Sequence, residues 1–396
     1  MRTPTTEDLA ALVAAETDDL VAIRRDLHRH PELGFAEVRT TAVIDDAMTQ
    51  IGAERLACPT PTGSVWAIQG GQPGRTVMLR ADIDALPITE TAPLDFASET
   101  EGLMHACGHD AHVAQMIGAA RALAARAEDL PGRHIILFQP AEEALGGAEA
   151  MIAGGVLDGL DIERVVGCHV ASTAPTGLVG VRHGIAMADV RSVRVEIEGI
   201  GGHGAAYTSG ANPLLAAAVL AQRLGEVAAD LTYEGVDCTC TAGVLHAGTA
   251  GNVIPAHARL RGTLRTFTPE QTDTALARLD ALILELTAET GCTFHLHFDD
   301  TAPAVRNDEA VSDLVRSAAT EVVGDRCVFA MPPVAPSDDV SFFLDRIPGC
   351  YFFVGAAKAD GTSGMHHNPG FAIDEGCLSI AARVLAGSAI ACAQPG

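Results

Sequence analysis

The amino-acid sequence predicts an α/β protein with a mostly parallel sheet and an inserted α+β domain. Short apolar runs alternate with Ala-rich helical stretches over residues 1–186 and again over 299–396, which is typical of parallel strands joined by crossover helices. Residues 187–298 instead follow the order β-α-β-β-α-β, the pattern of a small split βαβ domain. A chain of 396 residues is also longer than one compact core usually is. We therefore expect two domains, the second inserted into the first.

The larger domain is expected to begin with helices. Residues 7–30 have apolar positions near helical spacing, and residues 43–53 continue in the same style. Apolar runs that predict strands are SVWAIQG (64–70), TVMLRADID (76–84), HIILFQP (134–140), RVVGCHV (164–170) and GCYFFVGA (349–356). Further helices are expected at 110–130, 145–154, 311–323 and 375–392.

The inserted domain has its own strands and helices. Its strands are expected at RSVRVEIEGI (191–200), DCTCTAGVLHA (237–247), HARLRGTLRTF (257–267) and TFHLHF (293–298). The first helix is expected at 212–228. The second, at 268–291, opens with a Thr cap, a Pro in the first turn and a Glu in the capping-box position.

Composition and charge exclude several classes of protein. The net charge is −25, from 51 acidic and 26 basic residues, which argues against nucleic acid or an anionic membrane as a partner. No apolar run of 18 residues occurs, so no membrane span is expected, and the polar N-terminus does not resemble a signal peptide. Ten cysteines without a framework spacing are typical of reduced thiols, so we expect a cytoplasmic protein.

Acidic and histidine side chains follow the ends of four predicted strands. They are Asp82 and Asp84, Glu142 and Glu143, His169, and His366 and His367. Ligands of open α/β sheets bind outside the carboxyl ends of the strands, so these residues are predicted to converge. Unpaired buried carboxylates are costly, which makes the adjacent Glu142 and Glu143 hard to explain by packing alone.

The stretch MHACGHDAH, residues 104–112, adds sulfur and imidazole groups. Asp110 is expected to cap a helix there, and Cys107 would then lie near the positive helix end, which favours its thiolate. Cysteine, histidine and glutamate are good zinc ligands, and two metal ions can share a bridging ligand. An extra carboxylate beside the ligands is a natural general base, so Glu142 and Glu143 would divide these two tasks.

Two other functions stay open on these residues. Cys107 is also a candidate thiol nucleophile with His109 as its base, although residues two positions apart on one loop give poor geometry and leave the glutamates unused. A binding protein without activity is the second alternative. Sensitivity to chelators separates the thiol enzyme from the metal enzyme, and a turnover assay tests the binding protein.

Eight stretches, in order along the chain, match the motifs of a known enzyme family. They are DLHRHPELGFAE (26–37), LRADIDALPITE (79–90), MHACGHDAH (104–112), FQPAEEALGGAEAMIAGGVLDG (138–159), GCHV (167–170), GGHGA (201–205), GTAGNVIPAHARLRGTLRTF (248–267) and HHNPGFAIDE (366–375). The chain resembles the zinc-dependent amidohydrolases and exopeptidases that include aminoacylase, hippurate hydrolase and the plant auxin–amino acid amidohydrolases. The resemblance implies a metal-binding catalytic domain of residues 1–186 and 299–396, and a dimerisation and lid domain of residues 187–298.

The resemblance also implies a binuclear metal site with five ligands. Cys107 would bridge the two metals, in place of the aspartate of carboxypeptidase-type relatives. Glu143 and His367 would complete one metal site, and His109 and His169 the other. Two divalent ions are implied, with zinc first because thiolate and imidazole favour it, and manganese, nickel or cobalt as substitutes.

The resemblance assigns catalytic roles to four further residues. Glu142 would be the general base and acid, and Asp84 would orient the metal ligands. His203 and Asn252 would reach the active site of the partner subunit in a homodimer, where His203 would stabilise the oxyanion. His366 is not an implied ligand, because the family ligand directly precedes the Ser/Asn-Pro step.

The implied activity is hydrolysis of the amide bond of an N-acyl amino acid, which releases a carboxylic acid and an amino acid. A dipeptidase or an N-carbamoyl-amino acid hydrolase with the same two-metal mechanism is the alternative. Relatives usually have Pro-His where this chain has Ala206-Tyr207, and Glu-Asp-Phe where it has Ser337-Asp338-Asp339-Val340. Both departures concern the substrate pocket and leave the implied metal ligands intact.

Overall fold

The computed structural model describes residues 6–208 and 210–395, which divide into two compact units. The first unit contains the residues up to Ala186, Arg306–Met331 and the chain from Asp339 onward, and the second contains Met187–Val305 and Pro332–Asp338. The second unit begins at the predicted residue 187 but does not end at 298. Its last strand continues to Ala302, because the register only shifts between Phe298 and Thr301 and pairing then resumes.

The helices and strands are numbered in chain order. The α-helices are α1 (Thr6–Ala15), α2 (Thr17–Arg29), α3 (Val38–Gln50), α4 (His109–Ala124), α5 (Gly147–Ala153), α6 (Pro213–Arg223), α7 (Pro269–Thr290), α8 (Glu309–Val323), α9 (Ser341–Leu344) and α10 (Gly376–Ala393). The strands are β1 (Glu54–Leu56), β2 (Ser64–Gln69), β3 (Gln72–Asp82), β4 (Pro131–Gln139), β5 (Ile162–Pro175), β6 (Val179–Gly180), β7 (Gly184–Met187), β8 (Asp189–Glu198), β9 (Gly202–His203), β10 (Thr232–Tyr233), β11 (Val236–Asp237), β12 (Thr239–Ala247), β13 (Val253–Ile254), β14 (His257–Thr266), β15 (Thr293–Ala302), β16 (Val305–Asn307), β17 (Val328–Phe329) and β18 (Gly349–Ala357).

The single helix expected over residues 7–30 is in fact two helices. Glu16 separates α1 from α2 in a non-helical conformation, with φ −109° and ψ 5°. The hydroxyl of Thr17 donates to the carbonyl oxygen of Ala14 at 3.2 Å, a local bond that competes with helix continuation. Two aspartates then occupy the first turn of α2, where the helix dipole stabilises acidic groups.

The first unit is built on an eight-stranded sheet with the order β1-β2-β4-β3-β5-β18-β6-β17. Its central strands β4, β3, β5 and β18 are all parallel to one another. The strands β1 and β2 extend it in antiparallel fashion on one side, and β6 pairs antiparallel with β18 on the other. The predicted α/β fold with a mostly parallel sheet is therefore confirmed, and the antiparallel pairs lie toward its margins.

Helix α10 is a core helix of the first unit and packs against α4 and α8. By length and composition alone it could cross a membrane, since its mean hydropathy is 1.6, but 72% of it is buried inside the structure. The sequence predicted no such stretch because Arg383 interrupts the apolar run. Burial of this kind is what an apolar helix of a packed protein core shows.

The second unit contains a four-stranded antiparallel sheet with the order β12-β14-β8-β15. Helices α6 and α7 pack on this sheet and on each other, and the chain order is the predicted β-α-β-β-α-β. Thr268 caps α7 by accepting the N–H of Gln271, and the Gln271 side chain completes the capping box. The capping-box residue is thus Gln271 and not the neighbouring Glu270, because it occupies the third helical position.

Candidate metal centre

The carboxyl ends of the central parallel strands carry the candidate site residues of the first unit. Strand β3 ends at Asp82, Asp84 follows it, and β4 ends shortly before Glu142. His169 lies within β5, opposite Phe353 of β18. Because β4, β3, β5 and β18 are neighbours in the sheet, these residues meet at one edge of it.

The turn before α4 brings Cys107 to the same edge. Gly108 caps α4 in the left-handed conformation with φ 89°, and a Cβ at this position would lie 2.6 Å from Cγ2 of Val170. Only glycine fits such a turn. Asp110 was expected to be the cap, but it lies buried inside the first turn, where its Oδ2 accepts from Nε of Arg24 at 2.8 Å.

Asp84 fixes the orientation of three neighbours. Its carboxylate accepts the backbone N–H groups of Glu142 at 3.1 Å and Glu143 at 3.0 Å. Its Oδ1 also lies 3.2 Å from Nδ1 of His109. These bonds point Nε2 of His109 toward the two glutamates, 3.8 Å from Oε1 of Glu143 and 3.9 Å from Oε2 of Glu142.

The imidazoles of His109 and His169 are held in the same way. Nδ1 of His169 donates to the carbonyl oxygen of Val170 at 2.7 Å, and Nδ1 of His109 donates to Asp84. When these rings are neutral, Nε2 is the atom of each ring that can bind a metal. Nε2 of His169 lies 3.4 Å from Sγ of Cys107, and Nε2 of His109 is buried without a hydrogen-bond partner among the described residues.

His367 approaches from the loop after β18. Its backbone N–H donates to the carbonyl oxygen of Ala106 at 2.9 Å, and its φ is 61°. Nε2 of His367 lies 3.3 Å from Oε1 of Glu143, a buried atom without a hydrogen-bond partner in the described part of the chain. A positive φ on a residue with a side chain is strained and is enriched at functional sites.

The donor atoms form two overlapping groups around Cys107. One group contains Cys107, His109 and Glu143, and the other contains Cys107, His169 and His366. Within each group the donor atoms lie within 4.8 Å of one another. The structure thus brings the predicted ligands together. His367 joins them through its contact with Glu143, and His366 lies beside them.

The electrostatics of this cluster fit a divalent cation. Burial raises the pKa of the Cys107 thiol well above its usual range, and Glu143 and Glu142 raise it further. Burial lowers the pKa of His109, but Asp82 and other carboxylates outweigh it and raise this pKa to about 10. The helix end alone therefore does not produce the expected thiolate. A metal ion would supply the positive charge that the carboxylates favour and would stabilise the thiolate.

His112 is close to two candidate ligands but is not one itself. It shares a possible metal group with His109 and His169. However, its Nδ1 lies 2.5 Å from Oδ1 of Asp82, and its Nε2 accepts the backbone N–H of Val170 at 3.0 Å. Both ring nitrogens are occupied, so neither is available to bind a metal.

His203 and Asn252 belong to the second unit, whereas the other candidate residues belong to the first. They lie side by side where β9 pairs with β13, and both are exposed. The carbonyl oxygen of Asn252 accepts the N–H of Gly204 at 2.9 Å. Nδ1 of His203 accepts the N–H of Ala205 at 3.1 Å, so Nε2 carries the proton of the neutral ring.

A buried polar network next to the centre was not predicted from the sequence. The carboxylate of Asp339 accepts from Nη2 of Arg80 at 2.9 Å, from Nε2 of Gln139 at 2.6 Å and from the N–H of Ala148 at 2.9 Å. One signal was present in the sequence, since Arg80 lies inside an apolar strand and a buried guanidinium requires a partner. Asp339, in the segment that departs from the family pattern, is therefore a structural partner of Arg80.

Comparison with known proteins identifies the class of enzyme. Residues 78–391 match the sequence profile of peptidase family M20/M25/M40, which is well over half of the chain. The chain belongs to this family, as the motifs predicted. It is accordingly a hydrolase that acts on amide bonds, and the prediction of an amidohydrolase is confirmed.

Several relatives are similar over most of their length. The chain is 37% identical to an N-acetyl-L-cysteine deacetylase of Bacillus subtilis over 90% of this chain and 84% of the relative. It is 33% identical to thermostable carboxypeptidase 2 of Saccharolobus solfataricus over 92% and 93%, respectively. It is 35% identical to an N-acyl-L-amino acid amidohydrolase of Geobacillus stearothermophilus over 77% and 82%.

Solved structures show the same architecture. A protein from methicillin-resistant Staphylococcus aureus, named as an aminohydrolase, superimposes with a TM-score of 0.87 at 32% identity, over 98% of this chain and 100% of that one. A dinuclear metal-binding peptidase of the M20 family from Bacillus subtilis gives a TM-score of 0.79 at 31% identity, over 95% and 98%. Both similarities extend over nearly the whole chain.

Proposed function

We propose that this chain hydrolyses the amide bond of N-acyl amino acids with the help of two divalent metal ions. The observation that carries the proposal is the cluster of Cys107, His109 and Glu143, whose donor atoms lie within 4.8 Å of one another. Glu142 lies beside this cluster, with Oε2 3.9 Å from Nε2 of His109. A set of soft and hard ligands with a further carboxylate beside them is what hydrolytic metal enzymes require.

The proposed ligands divide between two metals. Cys107 would be shared by both ions, Glu143 and His367 would hold one of them, and His109 and His169 would hold the other. Zinc is the proposed metal because thiolate and imidazole ligands favour it, and manganese, nickel or cobalt can substitute. Ions held there would supply Lewis acidity, which polarises an amide carbonyl and lowers the pKa of water toward neutral pH.

Glu142 moves the proton in this proposal. It takes a proton from the attacking water and passes it to the nitrogen of the leaving amine. Asp84 supports this task because it holds the backbone N–H groups of both Glu142 and Glu143. The two glutamates therefore keep separate positions, one for the metal and one for the proton.

His203 and Asn252 complete the site from the partner subunit of a homodimer. Because Nδ1 of His203 accepts the N–H of Ala205, its Nε2–H is a donor available to the oxyanion. The edge strand β12 supports dimerisation, since its Val244 and Leu245 are each 39% exposed. An edge strand of this kind is a template for pairing with another chain, and the second unit would serve as dimerisation and lid domain.

The named relatives narrow the substrate class. An N-acetylcysteine, an N-acyl amino acid and the end of a peptide cut by a carboxypeptidase all carry a free carboxylate one carbon from the scissile amide nitrogen. We propose that this carboxylate is the common recognition element here. Because some relatives are named carboxypeptidases, peptide hydrolysis is the second candidate function.

The ten free cysteines, of which eight are buried, support a cytoplasmic location.

A substrate screen with and without metal tests the proposal. N-Acetyl and N-benzoyl forms of several amino acids are compared with dipeptides and N-carbamoyl amino acids, each before and after chelation and again after zinc or manganese is restored. We expect the N-acyl compounds to be the best substrates, with activity lost on chelation and regained with metal. Full activity in metal-stripped protein would instead support Cys107 as a nucleophile and refute the metal mechanism.

A further inference from the structure

His366, the residue before the proposed ligand His367, faces Cys107. Its Nδ1 lies 3.8 Å from Sγ of Cys107, and its Nε2 accepts the backbone N–H of Ser172 at 3.3 Å. The ring also packs edge-on against His169, with centroids 5.2 Å apart, and tilted against Phe371 at 5.0 Å. These contacts place the Nδ1 edge of the imidazole beside the sulfur of Cys107.

The contact with Ser172 decides which nitrogen of His366 carries a proton. An N–H group donates to Nε2, so Nε2 has its lone pair free of a proton and Nδ1 is the protonated atom. A protonated nitrogen donates a hydrogen bond and cannot bind a metal ion. His169 shows the opposite arrangement, because its Nδ1 donates to the carbonyl oxygen of Val170 and its Nε2 is turned toward Cys107.

We infer that His366 is a positioning residue that donates an N–H···S hydrogen bond to the thiolate of Cys107. The inference rests on the proposed function, because it requires Cys107 to be a metal-bound thiolate. A hydrogen bond to such a sulfur withdraws electron density from it and stabilises its negative charge, which tunes how strongly the sulfur donates to the metals. His366 would thus act on both metals through their shared ligand, although it binds neither.

Two other roles would place His366 in the same position. It could be a metal ligand through Nδ1, or it could merely hold the loop by accepting from Ser172. Three substitutions separate these roles, because the amide nitrogen of Asn overlays Nδ1 of His and the amide of Gln reaches the position of Nε2. His366→Asn keeps a donor for Cys107, His366→Gln keeps an acceptor for Ser172, and His366→Leu keeps neither.

The test uses the full-length protein loaded with Co²⁺ and reads the thiolate-to-cobalt charge-transfer absorption, together with the dissociation constant for Co²⁺ from chelator competition. We expect His366→Leu and His366→Gln to shift the charge-transfer band to longer wavelength, because the sulfur electrons are less stabilised without the donor. We expect the same two variants to bind Co²⁺ about tenfold more weakly at pH 7, because a proton competes better for a thiolate that the donor no longer stabilises. His366→Asn should resemble the wild type in both measurements.

Each contrary outcome has a distinct meaning. His366→Gln could match the wild type in the charge-transfer band and in Co²⁺ affinity while His366→Asn differs from it. The contact with Ser172 would then be the one that matters, and the inference would be overturned. A change in the cobalt d–d bands of all three variants would make His366 a ligand and also overturn it. Wild-type protein without any thiolate-to-cobalt band would refute the proposed metal site itself, whereas an intact band that no variant shifts would refute only the role of His366.

Discussion

Asp82 and His112 share a buried hydrogen bond, with 2.5 Å between Oδ1 and Nδ1. The other nitrogen of His112 accepts the N–H of Val170, the residue after the proposed ligand His169. Asp82 also pairs with Nη1 of Arg80 at 2.6 Å, and both side chains are almost fully buried. The ion pair and the histidine together tie the end of β3 to β5 next to the candidate metal centre.

Replacement of Asp82 by Asn is expected to destabilise the fold. The change removes one carboxylate from the buried Arg80 guanidinium, and loss of one member of a buried ion pair costs about 3 kcal/mol in the free energy of unfolding. Urea denaturation at pH 7 measures this loss in the free energy of unfolding. Glu163→Gln is the matched control, since Glu163 pairs with Arg75 at the surface and its loss should cost less than about 1 kcal/mol. Equal losses in the two variants would contradict the structural role of Asp82.

The two glutamates are expected to behave differently when each is changed to Gln. Glu142→Gln should lower kcat by at least about 100-fold, because a general base is lost, while the metal content stays near that of the wild type. Glu143→Gln should lower the metal content, because the amide replaces a charged ligand. Elemental analysis and turnover with excess metal are measured on the same preparations. If Glu142→Gln lost its metal and recovered activity on metal addition, the two roles would be reversed.

His134 is expected to make the protein sensitive to acid. It lies buried in β4, where its Nε2–H donates to the carbonyl oxygen of Pro131 at 3.1 Å, and burial lowers its pKa to about 4. In the unfolded chain its pKa is about 6.5. Between these values the unfolded state binds a proton that the folded state does not, so stability falls as the pH falls from about 6.5 to about 4.

The His134→Gln variant isolates this effect because Gln keeps an amide donor for Pro131 but does not titrate. Between pH 7 and pH 4, the free energy of unfolding of the wild type should fall by about 3 kcal/mol more than that of the variant. Chemical denaturation of both proteins at several pH values, without added metal, gives the difference. Curves that stay parallel over this range would show that His134 does not remain neutral in the fold.

Periodicity and the position of polar residues predicted the main architecture and the location of the site. Strands β3 and β5 were visible as the apolar runs 76–84 and 164–170, and Asp84 and His169 lie at the carboxyl ends of these runs. Their convergence followed because parallel strands share one edge of the sheet. Such local patterns are carried by consecutive residues, so a single sequence reveals them.

Long-range polar contacts and single-residue backbone features were not predictable in this way. Asp339 meets Arg80 across 259 positions of the chain, and nothing in the neighbourhood of either residue specifies the other. Gly108 and not Asp110 caps α4, because the tight approach of Val170 demands a residue without a side chain. The role of His366 depends on its bond from Ser172, which exists only once the loops are folded.

The last prediction concerns His203, which we propose acts in the site of the partner subunit. A two-fold dimer then has two composite sites, each with Glu142 from one chain and His203 from the other. Homodimers of His203→Ala and of Glu142→Gln should both be nearly inactive. The two variants are unfolded together, refolded and assayed, and mass measurement of the dimers confirms that mixed species have formed.

The recovered activity distinguishes action in trans from action in cis. In a mixed dimer, one site takes Glu142 from the His203→Ala chain and His203 from the Glu142→Gln chain, so it is intact, while the other site carries both lesions. Random association makes about half of the dimers mixed, and the pool should therefore recover about a quarter of wild-type activity under two-fold symmetry. If His203 acted within its own chain, every site would carry one lesion and no activity would return. Absence of recovery despite confirmed mixed dimers would therefore exclude the role in trans.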